Sequence, residues 1–268
     1  MIEKEELANL KKYFGLTYIV FWLLLGLTGY LIFLQVPNYV QNIIKNVCSW
    51  SPTFVLLIMF NKLFPNVTFK EYIRLHFMKK QNPMMFLMTL ILQVSIALVA
   101  VLAFFKMNNK PFSTMSFISA SAIIPVLIMD LTSGALGEEL GWRAYGLNVL
   151  QKKYAPLTAS LIIGVIWGLW HFPLMILSGY TGLELVYYII AFMVAVTSLS
   201  IIISFFYNKS GNILIAMWLH FLFNFSLKIV IIDLLSLLIY MSIGYMIVAI
   251  IIIVMNKSEL LTIKKEIV

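Results

Sequence analysis

The sequence predicts an all-α integral membrane protein, a bundle of about eight transmembrane helices that forms a single polytopic domain over 1–268. Three observations predict it. Hydrophobic residues make up 62% of the chain and charged residues only 11%, and the mean hydropathy is +0.98, far outside the range of soluble domains. Apolar runs long enough to cross a hydrocarbon core of about 30 Å recur along the chain. These runs are continuous, whereas barrel strands would alternate polar and apolar residues.

Each apolar run predicts one helix, and together they cover 14–36, 45–64, 84–105, 112–136, 157–177, 185–207, 212–232 and 234–254. The first run is too long for a signal-peptide core and has no small-residue cleavage site, so we expect it to remain as an anchor. The second is the least regular, because polar residues, Cys48 and Pro52 interrupt it. After the fourth, the helical pattern continues over 137–153 and breaks at Pro156, so this helix is expected to enter the membrane interface.

The segment 65–83 differs from the apolar runs. Its aromatic and aliphatic residues fall at helical spacing among basic ones, which is typical of a helix that lies on the inner membrane surface. The apolar positions are Phe69, Tyr72, Ile73 and Phe77. His76, within this segment, is interpreted as a solvated or interfacial histidine.

The distribution of basic residues predicts the orientation. If both termini lie on one side, fifteen of the 19 Lys and Arg residues fall on that side, and only Lys45, Lys106, Lys110 and Lys228 fall on the other. The positive-inside rule then places both termini in the cytoplasm of a cell-membrane protein. The net charge of +8 is explained by this topology and by attraction to anionic membrane lipid, so no nucleic-acid partner is expected.

Ionisable residues inside apolar runs are costly and often functional, and the clearest group is in "GEELGWRAYG", 137–146. Glu139 and Arg143 stand at i and i+4 with the acid first, so we expect an ion pair between them. Glu138 is rotated by about 100° from Glu139 and stays available for another partner, which suits a general base. Asp130, on the same helix, is interpreted as a structural hydrogen-bond partner. Lys228 is a further ionisable candidate.

Two later runs each present a polar edge. Trp167 and His171 are spaced i and i+4 in "WGLWHFP", and His220 and Asn224 have the same spacing in "HFLFN". Polar residues from three helices, with no competing ionic network in the chain, predict one functional site.

The order E-E-x-x-x-R, aromatic-x-x-x-H and H-x-x-x-N resembles the CPBP family of CAAX proteases and bacteriocin-processing intramembrane endopeptidases. The resemblance covers about 134–225 within an expected catalytic core of 113–228. The first motif is the specific one. The family has Phe where this chain has Trp167, and we interpret that position as aromatic packing above the histidine, so the change is expected to alter the shape of the pocket more than the chemistry.

The resemblance implies that Glu138 and His171 activate a water that attacks a peptide carbonyl, while His220 and Asn224 stabilise the oxyanion. Glu139 and Arg143 complete the expected catalytic group. The family is often described as metalloproteases, and Glu138, His171 and His220 would be the ligands of a possible Zn²⁺. The motif H-E-x-x-H is absent, however, and a mechanism without an obligatory metal is favoured.

Two other functions stay open: a non-catalytic bacteriocin-immunity or binding protein of the same fold, and a small proton-coupled transporter. The substrate stays open between a prenylated CAAX tail, a bacteriocin leader, a peptide pheromone and an anti-sigma factor. The site is expected to open towards the cytoplasmic half. The predicted depths of the two histidines conflict with this. His171 would lie about 21 Å from the cytoplasmic end of its helix, whereas His220 would lie only about 12 Å from the cytoplasmic end of its own.

Overall fold

The computed structural model describes residues 4–263, so Lys264 and Lys265, counted above among the basic residues beside the termini, lie outside the described residues. Over 4–263 the chain is almost entirely helical and has a single isolated β-bridge, between Phe117 and Val230. The all-α prediction is confirmed. The helices are α1 Lys4–Phe33, α2 Asn38–Ser49, α3 Ser51–Leu63, α4 Phe69–Phe77, α5 Pro83–Met107, α6 Ala120–Gln151, α7 Pro156–Trp170, α8 Phe172–Ile176, α9 Gly182–Ser210, α10 Ile213–Ser226, α11 Leu234–Met255 and α12 Lys257–Leu261.

Fewer helices have the full length of a membrane span than the sequence predicted. Within 4–263, five helices are long and apolar enough to cross a membrane: α1, α5, α6, α9 and α11. The pair α2 and α3, bent by 49°, can form a sixth span. Helices α7 and α10 have 15 and 14 residues, or about 21 to 23 Å at 1.5 Å per residue, which is less than a hydrocarbon core of about 30 Å. All eight predicted runs are therefore helical, but two of them form short helices.

The first short helix ends where the sequence "HFP" begins. Pro173 has no backbone N–H and restricts the residue before it, so α7 cannot continue through this point. The helix stops at Trp170, His171 forms the turn, and α8 starts at Phe172 with the proline in its first turn. His171 consequently lies at a helix end inside the bundle.

One face of the bundle, here called the terminal face, carries the start of α1 and the end of α11. The Nζ atom of Lys152 contacts Glu6 Oε1 at 2.5 Å, and Lys209 contacts Glu259 at 3.4 Å, so the ends of α6 and α9 lie at this face as well. Helices α7 and α10 begin immediately after these ends. Both short helices therefore start at the terminal face.

The other face, here called the opposite face, carries the connections 34–37, 108–119, 177–181 and 227–233. The β-bridge between Phe117 and Val230 joins two of these connections. The Leu235 N–H donates to the Tyr180 hydroxyl at 3.1 Å and brings a third to the same place. Because α7 and α10 are short, both stop before they reach this face.

The predicted helix in 65–83 is present as α4 and lies against the terminal face. A capping box between Thr68 and Glu71 fixes its first turn. His76 is buried, with its Nδ1 atom 3.1 Å from the Tyr207 hydroxyl, so it is not solvated, and only the interfacial alternative agrees with its place on α4. Burial, with a smaller contribution from the charge of Lys79, lowers the pKa of His76 to about 4.

Candidate active site

The two adjacent glutamates lie in a four-residue α-helical segment of α6 between two π-helical segments. The α-helical segment is Leu136–Glu139, and the π-helical segments are Leu131–Ala135 and Leu140–Leu147. π-Helical turns are rare and occur frequently at functional sites. Glu138 and Glu139 are both buried. They therefore lie inside the bundle, well before α6 ends at the terminal face.

Glu139 connects the second half of α6 to α10. Its Oε1 atom accepts a hydrogen bond from Arg143 Nη1 at 2.9 Å, which is the ion pair predicted from the sequence. The same oxygen lies 2.7 Å from Nδ1 of His220. Removing either Glu139 or Arg143 would leave the buried charge of the other without compensation. The contact also fixes the imidazole ring of His220 and leaves Nε2, the other ring nitrogen, free for another partner.

Trp167 does more than pack against a histidine. Its indole Nε1–H donates a hydrogen bond to Glu138 Oε2 at 2.6 Å, and the Arg143 guanidinium lies 4.2 Å from the centre of its ring. A phenylalanine could not donate this hydrogen bond. The interpretation of Trp167 as aromatic packing was therefore incomplete, because it overlooked a direct contact with the carboxylate.

His171 lies where α7 ends, and its tautomer follows from its contact with the backbone. Its Nδ1 atom is 2.8 Å from the carbonyl oxygen of Trp167, which can only accept a hydrogen bond. In the neutral ring, the proton is therefore on Nδ1 and the lone pair on Nε2 is free to accept a proton. The rings of Trp170 and Phe192 lie 4.6 and 5.2 Å from the imidazole, centre to centre, and hold it in place.

Asn224 and His220 approach α6 at Gly134. A methyl group at this glycine would lie 2.7 Å from Nδ2 of Asn224 and 3.0 Å from Nε2 of His220. Only glycine allows two side chains to come this close to the helix backbone. The structure places Gly134 directly against two of the predicted site residues.

A cavity of about 400 Å³ collects four of the six predicted catalytic residues. Glu138, His171, His220 and Asn224 line it. Glu139 and Arg143 are fully buried and lie behind His220, without reaching the cavity wall. The cavity can admit a few residues of a peptide, with one carboxylate, two imidazoles and an amide along its wall.

The cavity opens towards the opposite face. Its exposed lining residues are Asn42, Lys45, Leu174 and Lys228. All four lie on the half of the bundle where α7 and α10 have already ended. The expectation that the site opens on the side of the termini was therefore wrong. The depth predicted for His171 agrees with this site, since the glutamates lie about 18 Å from the end of α6 at the terminal face.

Helix α2 supplies a wall of the cavity that the sequence reading missed. Its residues Asn42, Lys45, Asn46 and Ser49 all line the cavity. They are spaced i, i+3, i+4 and i+7, so they form one polar stripe on the helix. Of this stripe, only Ser49 was among the residues that made the second apolar run look irregular, and the helical period of the stripe was the signal that could have identified it.

Asp130 and Lys228 form a second ion pair at the cavity wall. The Lys228 ammonium donates to Oδ1 of Asp130, which is fully buried, while about half of the lysine side chain is exposed. The interpretation of Asp130 as a hydrogen-bond partner agrees with this contact. Its second oxygen, Oδ2, has no partner among the described side chains.

The predicted metal ligands do not fit a metal ion in this arrangement. Within residues 4–263, no group of three or more His, Cys, Asp or Glu side chains is placed to hold one. No step of the reaction is therefore assigned to a metal.

Fold and site together define a polytopic α-helical membrane protein with a buried acid–base site that opens into a cavity. Residues 120–226, from the first residue of α6 to the last of α10, match the family model described as type II CAAX prenyl endopeptidase Rce1-like. CAAX prenyl protease 2 of Methanococcus maripaludis is 28% identical over 226 residues, which cover 81% of this chain and 83% of the relative. Both matches support the CPBP and CAAX protease family predicted from the sequence motifs, and they indicate an intramembrane protease.

Proposed function

We propose that the protein is an endopeptidase in which Glu138 and His171 activate a water molecule for attack on a peptide bond in the cavity. The observation that carries the proposal is that Glu138, His171, His220 and Asn224 line one cavity, although they come from three helices. The free lone pair on Nε2 of His171 and the carboxylate of Glu138 are the groups suited to accept the proton of the water.

The reaction proceeds in two steps. First, the water oxygen attacks the carbonyl carbon, its proton passes to the Glu138 and His171 pair, and the carbonyl oxygen becomes an oxyanion. Then the tetrahedral intermediate collapses, the C–N bond breaks, and the same pair returns a proton to the leaving amine. The products are a new carboxylate and a new amine. The buried walls around Glu138 limit the access of bulk water to these charges.

The oxyanion is stabilised from α10. Asn224 donates through its side-chain amide and His220 through Nε2–H. Donation from Nε2 requires a doubly protonated ring, because the Nδ1–H of His220 already points at Glu139. Glu139 is the carboxylate that stabilises this imidazolium, and Arg143 holds Glu139 in place from the other side. These two residues are therefore positioning residues.

The substrate is a peptide or protein that reaches the cavity from within the membrane or at its surface. The names of the matching family and of the archaeal relative both refer to a CAAX motif and a prenyl group, which makes a prenylated C-terminal peptide the first substrate to test. No obligatory metal is proposed. Cleavage is expected to continue after treatment with a chelator and removal of the metal, as checked by elemental analysis.

We propose that the terminal face is cytoplasmic. Arg143 is buried, and Lys45 and Lys228 line the cavity, so none of the three counts as a loop charge. Fourteen basic residues then remain on the side of the termini against two, Lys106 and Lys110, on the other side. The cavity then opens towards the extracytoplasmic half. The test is a Cys48→Ser protein with one new cysteine at Lys79 or at Lys106. An impermeant label is expected to react in intact cells at Lys106 alone, and labelling at Lys79 contradicts the orientation.

The catalytic role is tested without knowledge of the substrate. Membrane peptides from cells that express the wild type, Glu138→Gln or Glu184→Gln are compared by mass spectrometry, and the amount of folded protein is measured in parallel. Glu184 is an exposed glutamate at the start of α9 and provides the matched control. We expect cleavage products in the wild type and in Glu184→Gln. Products at the wild-type level in Glu138→Gln cells contradict the proposal.

A further inference from the structure

The polar stripe of α2 brings a lysine into the wall of the cavity. Lys45 is the eighth residue of α2, about 10 Å along the helix from its start at the opposite face. An ammonium at such a depth is costly unless it is paired or faces water. Lys45 faces the cavity, and the segment that matches the family model, 120–226, does not include α2. The family match therefore does not explain this lysine.

Each of the other charged side chains around the cavity already makes at least one side-chain contact. Lys228 is paired with Asp130, the carboxylate of Glu139 with Arg143 and His220, and Glu138 accepts from an indole. Lys45 forms no salt bridge with any acidic group within residues 4–263. It therefore presents an unneutralised positive charge to whatever enters the cavity.

Asn42 supplies a second donor beside this charge. It lies three residues before Lys45 on the same stripe, lines the cavity and is exposed. Side chains at i and i+3 are neighbours on a helix surface. One ammonium and one amide N–H offer two donors and a single positive charge, which matches the two oxygens and single negative charge of a carboxylate.

We propose that Lys45 and Asn42 bind a carboxylate of the peptide substrate close to the bond that is cleaved. The proposal rests on the proposed endopeptidase function and adds a substrate class to it, peptides with a negative charge near the scissile bond. The carboxylate has two possible sources, the free C-terminus of the substrate or an Asp or Glu side chain. A lysine that merely extended towards the membrane surface would contribute nothing to substrate affinity.

The test measures peptide binding in detergent solution with the Glu138→Gln protein, so that cleavage does not interfere. The first probe is a fluorescent prenylated peptide with a C-terminal C-a-a-X motif and a free carboxylate. The second has a C-terminal carboxamide, and the third has the carboxamide and an Asp before the motif. Each is titrated against Glu138→Gln alone and combined with Lys45→Gln, Lys45→Arg or Lys106→Gln. Lys106, exposed in the last turn of α5 and outside the cavity, is the matched control for the lost charge.

We expect Lys45→Gln to weaken binding of the free-carboxylate peptide by about tenfold, which is the effect of losing one charge-assisted hydrogen bond. Lys45→Arg should retain most of the affinity and Lys106→Gln all of it. The carboxamide should bind the parent protein about as weakly as the free carboxylate binds Lys45→Gln. Recovery of affinity with the third probe shows that the site also accepts a side-chain carboxylate, and no recovery restricts it to the C-terminus.

Equal affinities in Lys45→Gln and Lys106→Gln overturn the proposal, and so does a parent protein that binds none of the three peptides. Failure of the endopeptidase function gives a different result. In that case binding still depends on Lys45, but the protein with Glu138 intact leaves the peptide uncleaved. If cleavage occurs, we expect Lys45→Gln to raise KM about tenfold with little change in kcat. An unchanged KM contradicts the carboxylate site while the protease remains established.

Discussion

Replacing Trp167 by Phe separates a hydrogen-bonding role of this residue from simple packing. The variant keeps an aromatic ring in a buried position and removes the Nε1–H that donates to Glu138 at 2.6 Å. A hydrogen bond to a charged acceptor contributes about 1.5 to 3 kcal/mol. If the bond holds the Glu138 carboxylate in the orientation required by the attacking water, its loss lowers kcat by about 10- to 100-fold. KM should change little, because Trp167 does not line the cavity.

Trp142→Phe is the matched control for this experiment. Trp142 is fully buried in α6, its indole N–H has no partner among the described residues, and it does not line the cavity. The same volume is lost in both variants, but only Trp167→Phe loses a hydrogen bond. Steady-state kinetics on one purified substrate, normalised to folded protein, give both values. Equal losses of kcat in the two variants would refute the reasoning and return Trp167 to a packing role.

Three further predictions concern the packing at Gly134, the buried ion pair of Arg143 and the docking of α4. Gly134→Ala should lower activity at least tenfold, since a methyl group would lie 2.7 Å from a side-chain atom, whereas Gly29→Ala, with open space around it, should have no effect. Arg143→Ala should reduce the yield of folded protein, because it removes the ion pair of the buried Glu139, and a yield equal to wild type counts against this. Docking of α4 should weaken as the pH falls from about 6.5 to about 4, since only the undocked His76 takes up a proton in that window, and it should not change above it. Hydrogen exchange in α4 measures this dependence, and its persistence in His76→Gln would contradict the assignment.

The sequence allowed the helices and the core of the site to be predicted because both depend on local patterns. Apolar runs identified all eight helical regions, and the i, i+4 spacing identified the pair of Glu139 and Arg143. The motifs also named the four residues that line the cavity. Each of these inferences needs only the period of a helix or the cost of a charge in an apolar run.

The remaining features depend on how helices meet, which helix periodicity does not determine. The contact of His220 with Glu139 joins residues 81 positions apart, and the hydrogen bond from Trp167 to Glu138 joins residues 29 apart. The direction in which the cavity opens depends on the short lengths of α7 and α10. The short length of α7 has a cause that is visible in the sequence, Pro173, but the predicted helix 157–177 ran through this residue. The helical period of the polar stripe with Lys45 was visible in the sequence, but Lys45 was counted only as a basic residue on the side opposite the termini.

Single-turnover cleavage in H₂¹⁸O, with enzyme in excess over peptide, distinguishes a Glu138 that acts as a base towards water from a Glu138 that itself attacks the peptide. If Glu138 is the base, the new C-terminal carboxyl group carries one ¹⁸O atom already in the first turnover. Glu138 then stays unlabelled when the recovered protein is digested and analysed by mass spectrometry. If Glu138 formed a covalent acyl intermediate, the oxygen in the first product could come from the protein and ¹⁸O would appear in Glu138. An ¹⁶O product in the first turnover, with label in Glu138, would contradict the account.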